Sequence, residues 1–564
     1  MKKHLFLCGI MTSFLLMASE ERGVEKVHAH IQIHDPWKGA IEGKKLLEIY
    51  PGSSLVRLAY IEALSAKGDE RGVFQEWMTQ RDVFSTDKKA LEILAWTALQ
   101  KAKDSPQLAI QTAALIGSAL TSDAKSIPVV MRALRSQSAI LRFLGVRLLR
   151  QLGDDPLICE LIRLFHEEKV WFVRQAVIET IGELRLTQLK AALLESLNTY
   201  HISIEEKTSI FIALTKMHQG AEKNTHSSLF LSPRSALREL ACHMTAYYDL
   251  ITHIPDVEAL LLDHSPDVRQ EAIKTLLFLQ KEIAPSLLET LMKDSHPKVA
   301  ITAAWAATCL GDSLGVESLK EWMFNPEGKW RREAASLLSR SGSLGHKLSL
   351  EMLHSHEDAF VRVNLALGLI EQGVHVKEGC EILSQFLQKT LSQKLMWSSK
   401  QVISPSDIRH MEQSYNYPHM ISQLTRLDLM RILCTFEHGD IKLKIKSMLM
   451  QESLEVTALA ASILFQEGDE DVTLLLQELM HDSNLLVRVQ SALILAVFKK
   501  DPDALKTLQV LYEHVDYEIK IQILEVISQL GSKEMLPFLL DRLEEPFQLI
   551  RVIAASAIIQ CLSH

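Results

Sequence analysis

An all-α solenoid of about 14 stacked helix pairs is the fold this chain predicts, on three observations. A short phrase recurs every 31 or 32 residues. Each copy reads as two amphipathic helices. Glycine closes most copies at one fixed place. The phrase is an apolar residue, a basic residue, two variable positions and a small residue. Its apolar column is Leu141, Val173, Leu237, Val268, Val299, Trp330, Val361, Val456, Val487, Ile519 and Ile550. The basic column beside it is Arg142, Arg174, Arg238, Arg269, Arg331, Arg362, Arg488, Lys520 and Arg551, with Ala300 and Thr457 as defaults. A fixed period of this length means that each unit buries its apolar face against its neighbours and not in a core of its own.

Residues 252 to 282 show how one copy folds. Val257, Leu260 and Leu261 give a first helix its apolar face. Ser265 then suits a helix cap and Pro266 the first helical position, where no amide donor is missed. Val268, Ala272, Leu276 and Leu279 share one side of the second helix. Eleven residues after the basic column stand Gly153, Gly311, Gly342, Gly373, Gly468 and Gly531, which can take the left-handed conformation that ends helices. Three residues after it, Gly145, Ala241, Ala272, Ala303, Ala334, Ala460, Ser491 and Ala554 let adjacent second helices approach closely. Six before it stand Glu168, Asp263, Asn325, Asp482 and Glu545, so the basic column is expected to form a polar ladder through the turns of neighbouring units. Val487 reads as core, and Gln490 as part of the variable flank.

The stretches Asp263-His-Ser-Pro-Asp-Val-Arg269 and Asp482-Ser-Asn-Leu-Leu-Val-Arg488, and the run from Gly531 to Pro537 leading to Ile550 and Arg551, resemble HEAT repeats. The form is the short bacterial one of the phycobilisome-lyase HEAT-like family. The resemblance covers roughly 105–564. It implies a fold strongly and an activity weakly, because function lies in a site and not in the repeat. The segment from Tyr50 to Leu64, followed by Lys67, Gly68 and Asp69, resembles a tetratricopeptide hairpin.

The expected organisation follows. Residues 1–18 read as a signal peptide: Lys2 and Lys3, then an apolar run from Leu5 to Ala18, too short for a membrane span. Its removal takes two lysines and no acid, moving the formal net charge from −9 to −11. Residues 19–35 read as a linker, 36–104 as a helical, tetratricopeptide-like N-terminal cap, 105–375 and 426–564 as HEAT-like repeats. Residues 376–425 form an irregular repeat with a loop insert, where the period breaks. Within it Trp397, Arg409, Tyr415 and Tyr417 are residue types enriched at interface hot spots, and are the candidate protein-binding residues.

Composition limits the function classes. No basic run neutralises phosphates, so nucleic acid is not expected as a partner. Seven cysteines lie tens of residues apart without a Cys-x-x-Cys pair, and Cys242 falls in a small, buried column. No phosphate loop or nucleophile elbow occurs. His28, His30 and His34 are the weak candidates for a metal, and His354 and His356, beside Glu357 and Asp358 in an inter-helix turn, are weaker ones. The reading is an exported, periplasmic or envelope-associated scaffold that binds one or more proteins, without catalysis, cofactor or integral membrane span. Two alternatives stay open: a HEAT-like lyase or metal-dependent enzyme, and an exported effector that binds host proteins.

Overall fold

The computed structural model describes residues 19–197, 203–218, 223–391, 423–437, 440–451 and 453–563. Among them every regular element is helical. The chain divides into two compact units. One joins both ends of the sequence, Met1–Ala192 with Met480–His564, and is called the terminal unit. The other, Leu193–Leu479, is the middle unit.

Each repeat is the helix pair that the sequence predicts. In the middle unit, Pro285–Met292 precedes Pro297–Cys309, Ser313–Trp322 precedes Gly328–Leu338, and Gly342–Ser355 precedes Ala359–Glu371. Second helices stack on one another, as Ser235–Tyr247, Pro266–Phe278 and Pro297–Cys309 do in order. The apolar column is their common core. Leu237, Val268, Val299, Trp330, Val361 and Val456 are buried there, as are Leu141, Val173, Val487 and Ile550 in the terminal unit, with Ile519 half-buried. The small column is buried throughout, from Gly145 to Ala554, which is what close helix approach requires. Cys242, in that region, is fully buried, and burial pushes its thiol far above the ordinary range.

The left-handed residue that closes each repeat belongs to the backbone and not to glycine. Gly153, Gly311, Gly342, Gly373, Gly468 and Gly531 all have φ between 59° and 90°. Arg185, Asp249, Gln280 and Glu437 hold the same conformation at the same place, at φ of 51–55°. Counting back eleven from Glu437 reaches Arg426, a buried arginine in step with Thr457. The basic column therefore continues to the edge of the region read as irregular, and Arg426 is a member that the sequence reading missed.

Three expectations are corrected. Residues 19–32 are helical and not a linker, because Val24 and Val27 are buried on one face. Ser265 stands at the cap position, yet its hydroxyl makes no cap bond; the Asp263 carboxylate accepts from the Ser265 amide at 2.8 Å instead. Gln490 is buried at 6% exposure, beside Val487, so the flank that looked variable faces the stack.

The N-terminal helices do more than cap the first repeat. Gln548–Ser563, the last helix, packs against Tyr517–Leu530 of the preceding repeat and also against Lys88–Ala102 and Leu108–Ala119. Ser556 Oγ donates to the Gly117 carbonyl at 3.2 Å. A Cβ on Gly117 would meet Ser556 Oγ at 2.6 Å, so the approach requires glycine. Arg81 bonds to both Asp541 and Glu544. A terminal solenoid helix would leave one side wet; this one buries ten residues, from Ile550 to Leu562.

Candidate interaction surface and arginine ladder

The basic column makes a ladder whose rungs cross from each repeat to the next. Arg238 donates through Nε and Nη2 to both carboxylate oxygens of Asp263, at 2.6 and 2.7 Å. Its Nη1 donates to the Ser232 carbonyl of its own turn at 2.7 Å. Asp263 passes the pattern on, because its carbonyl accepts from Arg269 Nη1 at 2.7 Å. Arg269 grips Asp294 the same way, at 2.8 and 2.7 Å, and Asp294 accepts from the His296 amide at 2.8 Å. A planar fork against a carboxylate is the geometry for which arginine is suited and lysine is not. Burial works against ionisation of Asp263 and Asp294, but the arginine and amide donors outweigh it and hold both carboxyls below their ordinary range.

In the terminal unit Arg142 grips Glu168 at 2.5 and 2.9 Å, and the Glu168 carbonyl accepts from Arg174 at 2.9 Å. Against opposing burial, the Arg142 bonds hold the Glu168 carboxyl low as well. Elsewhere the rung is altered. Arg331 reaches Asp358, four before Arg362, at 3.0 Å. The place six before Arg362 is held by His356, whose Nε2 lies 3.0 Å from the Met323 carbonyl and whose Nδ1 accepts from the Asp358 amide. Lys520 lies 4.7 Å from the centre of the Tyr512 ring. The repeats that follow Arg174 and Arg362 fall partly outside the described residues. Arg488 faces a repeat with His514 in the acid's place, and its Nε has no hydrogen-bond partner among the described residues. Arg551 keeps its two turn carbonyls, Glu545 at 2.8 Å and Pro546 at 3.0 Å.

A second column separates the two units. Seven residues before the basic position, at the end of the first helix, the middle unit carries Leu231, Leu262, Lys293, Phe324, Ser355 and Met450. Leu231 is 88% exposed, Leu262 71%, Phe324 61% and Met450 56%. The terminal unit carries Arg135, Glu167, His481, Glu513 and Glu544 at the same place, all exposed. Four of these are ion-paired: Arg135 with Glu160, Glu167 with Arg163, Glu513 with Arg542, and Glu544 with Arg81. The sequence reading passed over this column, although the same count from the arginines finds it.

Trp397, Arg409, Tyr415 and Tyr417 lie outside the described residues. The three histidines do not converge. His28 and His30 stand two apart on the helix 19–32 and so do not share a face. His28 Nε2 is 3.0 Å from Glu62, and His34 lies beyond the helix end with φ of 59°. Among the described residues no group of three histidines, cysteines or acids is placed to hold a metal ion, and no helix is long and apolar enough to cross a membrane.

A cleft of about 460 Å³ lies within the terminal unit. Glu70–Met78 and Lys88–Ala102 form one side and the turn leading to Gln548–Ser563 the other. Val73, Phe74, Leu94, Ala98, Leu543 and Pro546 supply apolar wall, and Glu70, Arg71, Glu544, Glu545 and Arg551 supply charge.

Comparison with known proteins gives the repeat its family. Residues 254–340 and 430–559 match the HEAT-repeat model, and the chain carries HEAT repeats there. No curated protein matches the chain by sequence. Among solved structures, the karyopherin Kap121p bound to the extreme C-terminus of the phosphatase Cdc14p is 11% identical, with 93% of this chain and 68% of that one covered and a TM-score of 0.36. The myosin chaperone UNC-45 from C. elegans, in complex with an Hsp90 peptide, is 13% identical over 96% and 81%, with a TM-score of 0.30. The CpcE–CpcF complex of phycocyanin lyase from Nostoc sp. PCC7120 is 15% identical over 52% and 92%, with a TM-score of 0.20.

Proposed function

We propose that this chain is a non-catalytic scaffold or adaptor, that it binds another protein through the exposed apolar column of its middle unit, and that it works outside the inner membrane, in the periplasm or cell envelope. The column carries the reading. Leu231, Leu262, Phe324 and Met450 are exposed at a place where the same fold tolerates charge in the terminal unit. Folding therefore does not ask for apolar residues there, and a partner surface that covers them would. Burying one such side chain is worth about 1.5–3 kcal/mol, so three of them contribute about 4.5–9 kcal/mol toward an association cost of about 4–15 kcal/mol.

The test replaces Leu231, Leu262 and Phe324 together by serine. The melting temperature should stay within a degree or two, while the partner cross-linked and recovered from native cells by the unaltered chain falls by about a hundredfold. Undiminished recovery would dismiss the column as the binding surface. For location, a periplasm-active reporter fused after residue 35 should be active, and Leu7→Arg with Leu15→Arg should silence it. Activity confined to the cytoplasm would overturn the compartment.

A further inference from the structure

The cleft in the terminal unit holds an arginine in the posture of a ladder rung with the other half of the rung missing. In four repeats the guanidinium is oriented alike. Nη1 bonds to carbonyls of the preceding turn: Ser136 for Arg142, Ser232 for Arg238, Asp263 for Arg269 and Asn325 for Arg331. Nε and Nη2 then grip a carboxylate from the following repeat, that of Glu168, Asp263, Asp294 or Asp358. Arg551 has the first half of this arrangement, with Nη1 on the carbonyls of Glu545 and Pro546. Among the described residues its Nε and Nη2 have no hydrogen-bond partner, and the residue lines the cleft.

The acids nearby do not fill the place. Glu544 is engaged by Arg81, and Glu545 stands 3.5 Å from Arg542. Glu70 lines the same cleft and makes no hydrogen bond to Arg551. Burial lifts the Glu70 carboxyl above its ordinary range against the attraction of Arg551 and Lys101, which is the behaviour of an acid near an arginine and not gripped by it. Arg71 adds a second positive charge to the lining. The lining carries two guanidinium groups, Arg71 and Arg551, and three carboxylates, of which Glu544 pairs with Arg81 and Glu545 stands near Arg542, with apolar wall from Val73, Phe74 and Leu94. Its volume falls within the range of small-ligand sites.

We propose that this cleft is a binding site for a carboxylate carried on an apolar body, with the Nε–Nη2 edge of Arg551 gripping the carboxylate as the other ladder arginines grip Asp or Glu. A free organic acid and the carboxyl end of a peptide share this chemistry. The site is separate from the apolar column of the middle unit and stands whether or not that column binds a protein.

The experiment is calorimetric titration of the full chain with N-acetyl-leucine, N-acetyl-leucinamide and hexanoate. N-acetyl-leucine should bind, and the amide, alike in shape but without the charge, should bind at least about tenfold more weakly, since the paired charge-assisted bonds are lost. Hexanoate equal to N-acetyl-leucine identifies a free acid as sufficient. N-acetyl-leucine about tenfold tighter than hexanoate identifies a peptide terminus, and either result supports the site. Arg551→Gln should weaken binding by about tenfold or more, and Arg551→Lys should not restore it, because lysine has no planar fork. Arg238→Gln, on a rung of the middle unit, should leave binding unchanged. Should Arg551→Gln fail to fold, Ala98→Leu narrows the cleft without touching the arginine and should give the same loss. Acid and amide binding equally, full binding by Arg551→Gln, or no saturable binding of N-acetyl-leucine would each overturn the proposal. So would a double-mutant cycle in which Glu70→Gln and Arg551→Gln prove strongly coupled in stability, because Glu70 would then be the missing half of the rung.

Discussion

The two units run the same repeat to different ends, and the contrast separates what the fold needs from what it leaves free. Both keep the ladder: Arg142, Glu168 and Arg174 in the terminal unit, and Arg238, Asp263, Arg269 and Asp294 in the middle unit. Both keep the left-handed closing residue. They part at the column seven before the arginine. There the terminal unit places four charges that find partners within the unit, and the middle unit places leucine, phenylalanine or methionine in water at four of six positions, with Lys293 and Ser355 at the other two. A feature common to both is a requirement of stacking. A feature that differs at one backbone position is open to selection by a partner.

Removal of a ladder acid tests the common part, and carries the largest expected effect on stability. Asp263→Ala strands Arg238 and the Ser265 amide together, both in a poorly hydrated turn. Breaking a buried, well-bonded pair costs about 3–5 kcal/mol, read as a lower urea midpoint with unchanged slope. Glu168→Ala in the terminal unit should cost about the same, since Glu168 holds Arg142 and the amides of Lys169 and Val170. Arg551→Gln breaks only turn bonds and should cost about 1 kcal/mol or less. If Glu168→Ala were nearly silent while Asp263→Ala was costly, the ladder would be a property of the middle unit alone.

Acid should weaken both units through the same groups. Asp263, Asp294 and Glu168 have carboxyls held below their unfolded values of 3.8, 3.8 and 4.5. A group depressed on folding contributes stability that is fully present above its unfolded value and is lost as pH falls through the lower, folded one. The urea midpoint should therefore be flat near neutrality, fall below about pH 4.5, and continue to fall past the unfolded values. Asp263→Asn combined with Glu168→Gln should flatten that fall. An unchanged acid limb in the double variant would assign the effect to other carboxylates.

The period was legible because one local phrase repeats it: a buried anchor, a small residue three after the arginine, and a helix stop at eleven. The arginine column was legible for the same reason. Its bonding was legible only in outline, because the acid six before each arginine serves the previous repeat, and His356 displaces that role onto Asp358. Arg426 was lost because its neighbour Thr425 is not apolar, although the count of 31 to Thr457 finds it. The seat of the last helix on Lys88–Ala102 and Leu108–Ala119 left no periodic trace. Gly117 and Ser556 are separated by 439 residues and show only as small side chains in a chain rich in them. The cleft beside Arg551 follows from that same contact and was invisible with it.

The smallest expected effect bears on the closing residue, and its sign is the informative part. Gln280 in the middle unit and Arg185 in the terminal unit both hold φ near 52–55°, and both are exposed. A side chain at such an angle costs about 1 kcal/mol or slightly more, from Cβ against the following carbonyl. Glycine removes that cost but gives the unfolded chain more freedom, so the net gain is about 0.5 kcal/mol. Gln280→Gly and Arg185→Gly should each raise the urea midpoint slightly and equally. Gly311→Ala, at φ of 90°, should lower stability by about 1 kcal/mol, although nothing stands within 4 Å of the added Cβ. Crowding cannot explain a loss there, so it would measure the backbone alone. Loss of stability on Gln280→Gly would mean that its side chain contributes to the turn more than its strain removes, and that the stop at eleven is set by residue type after all.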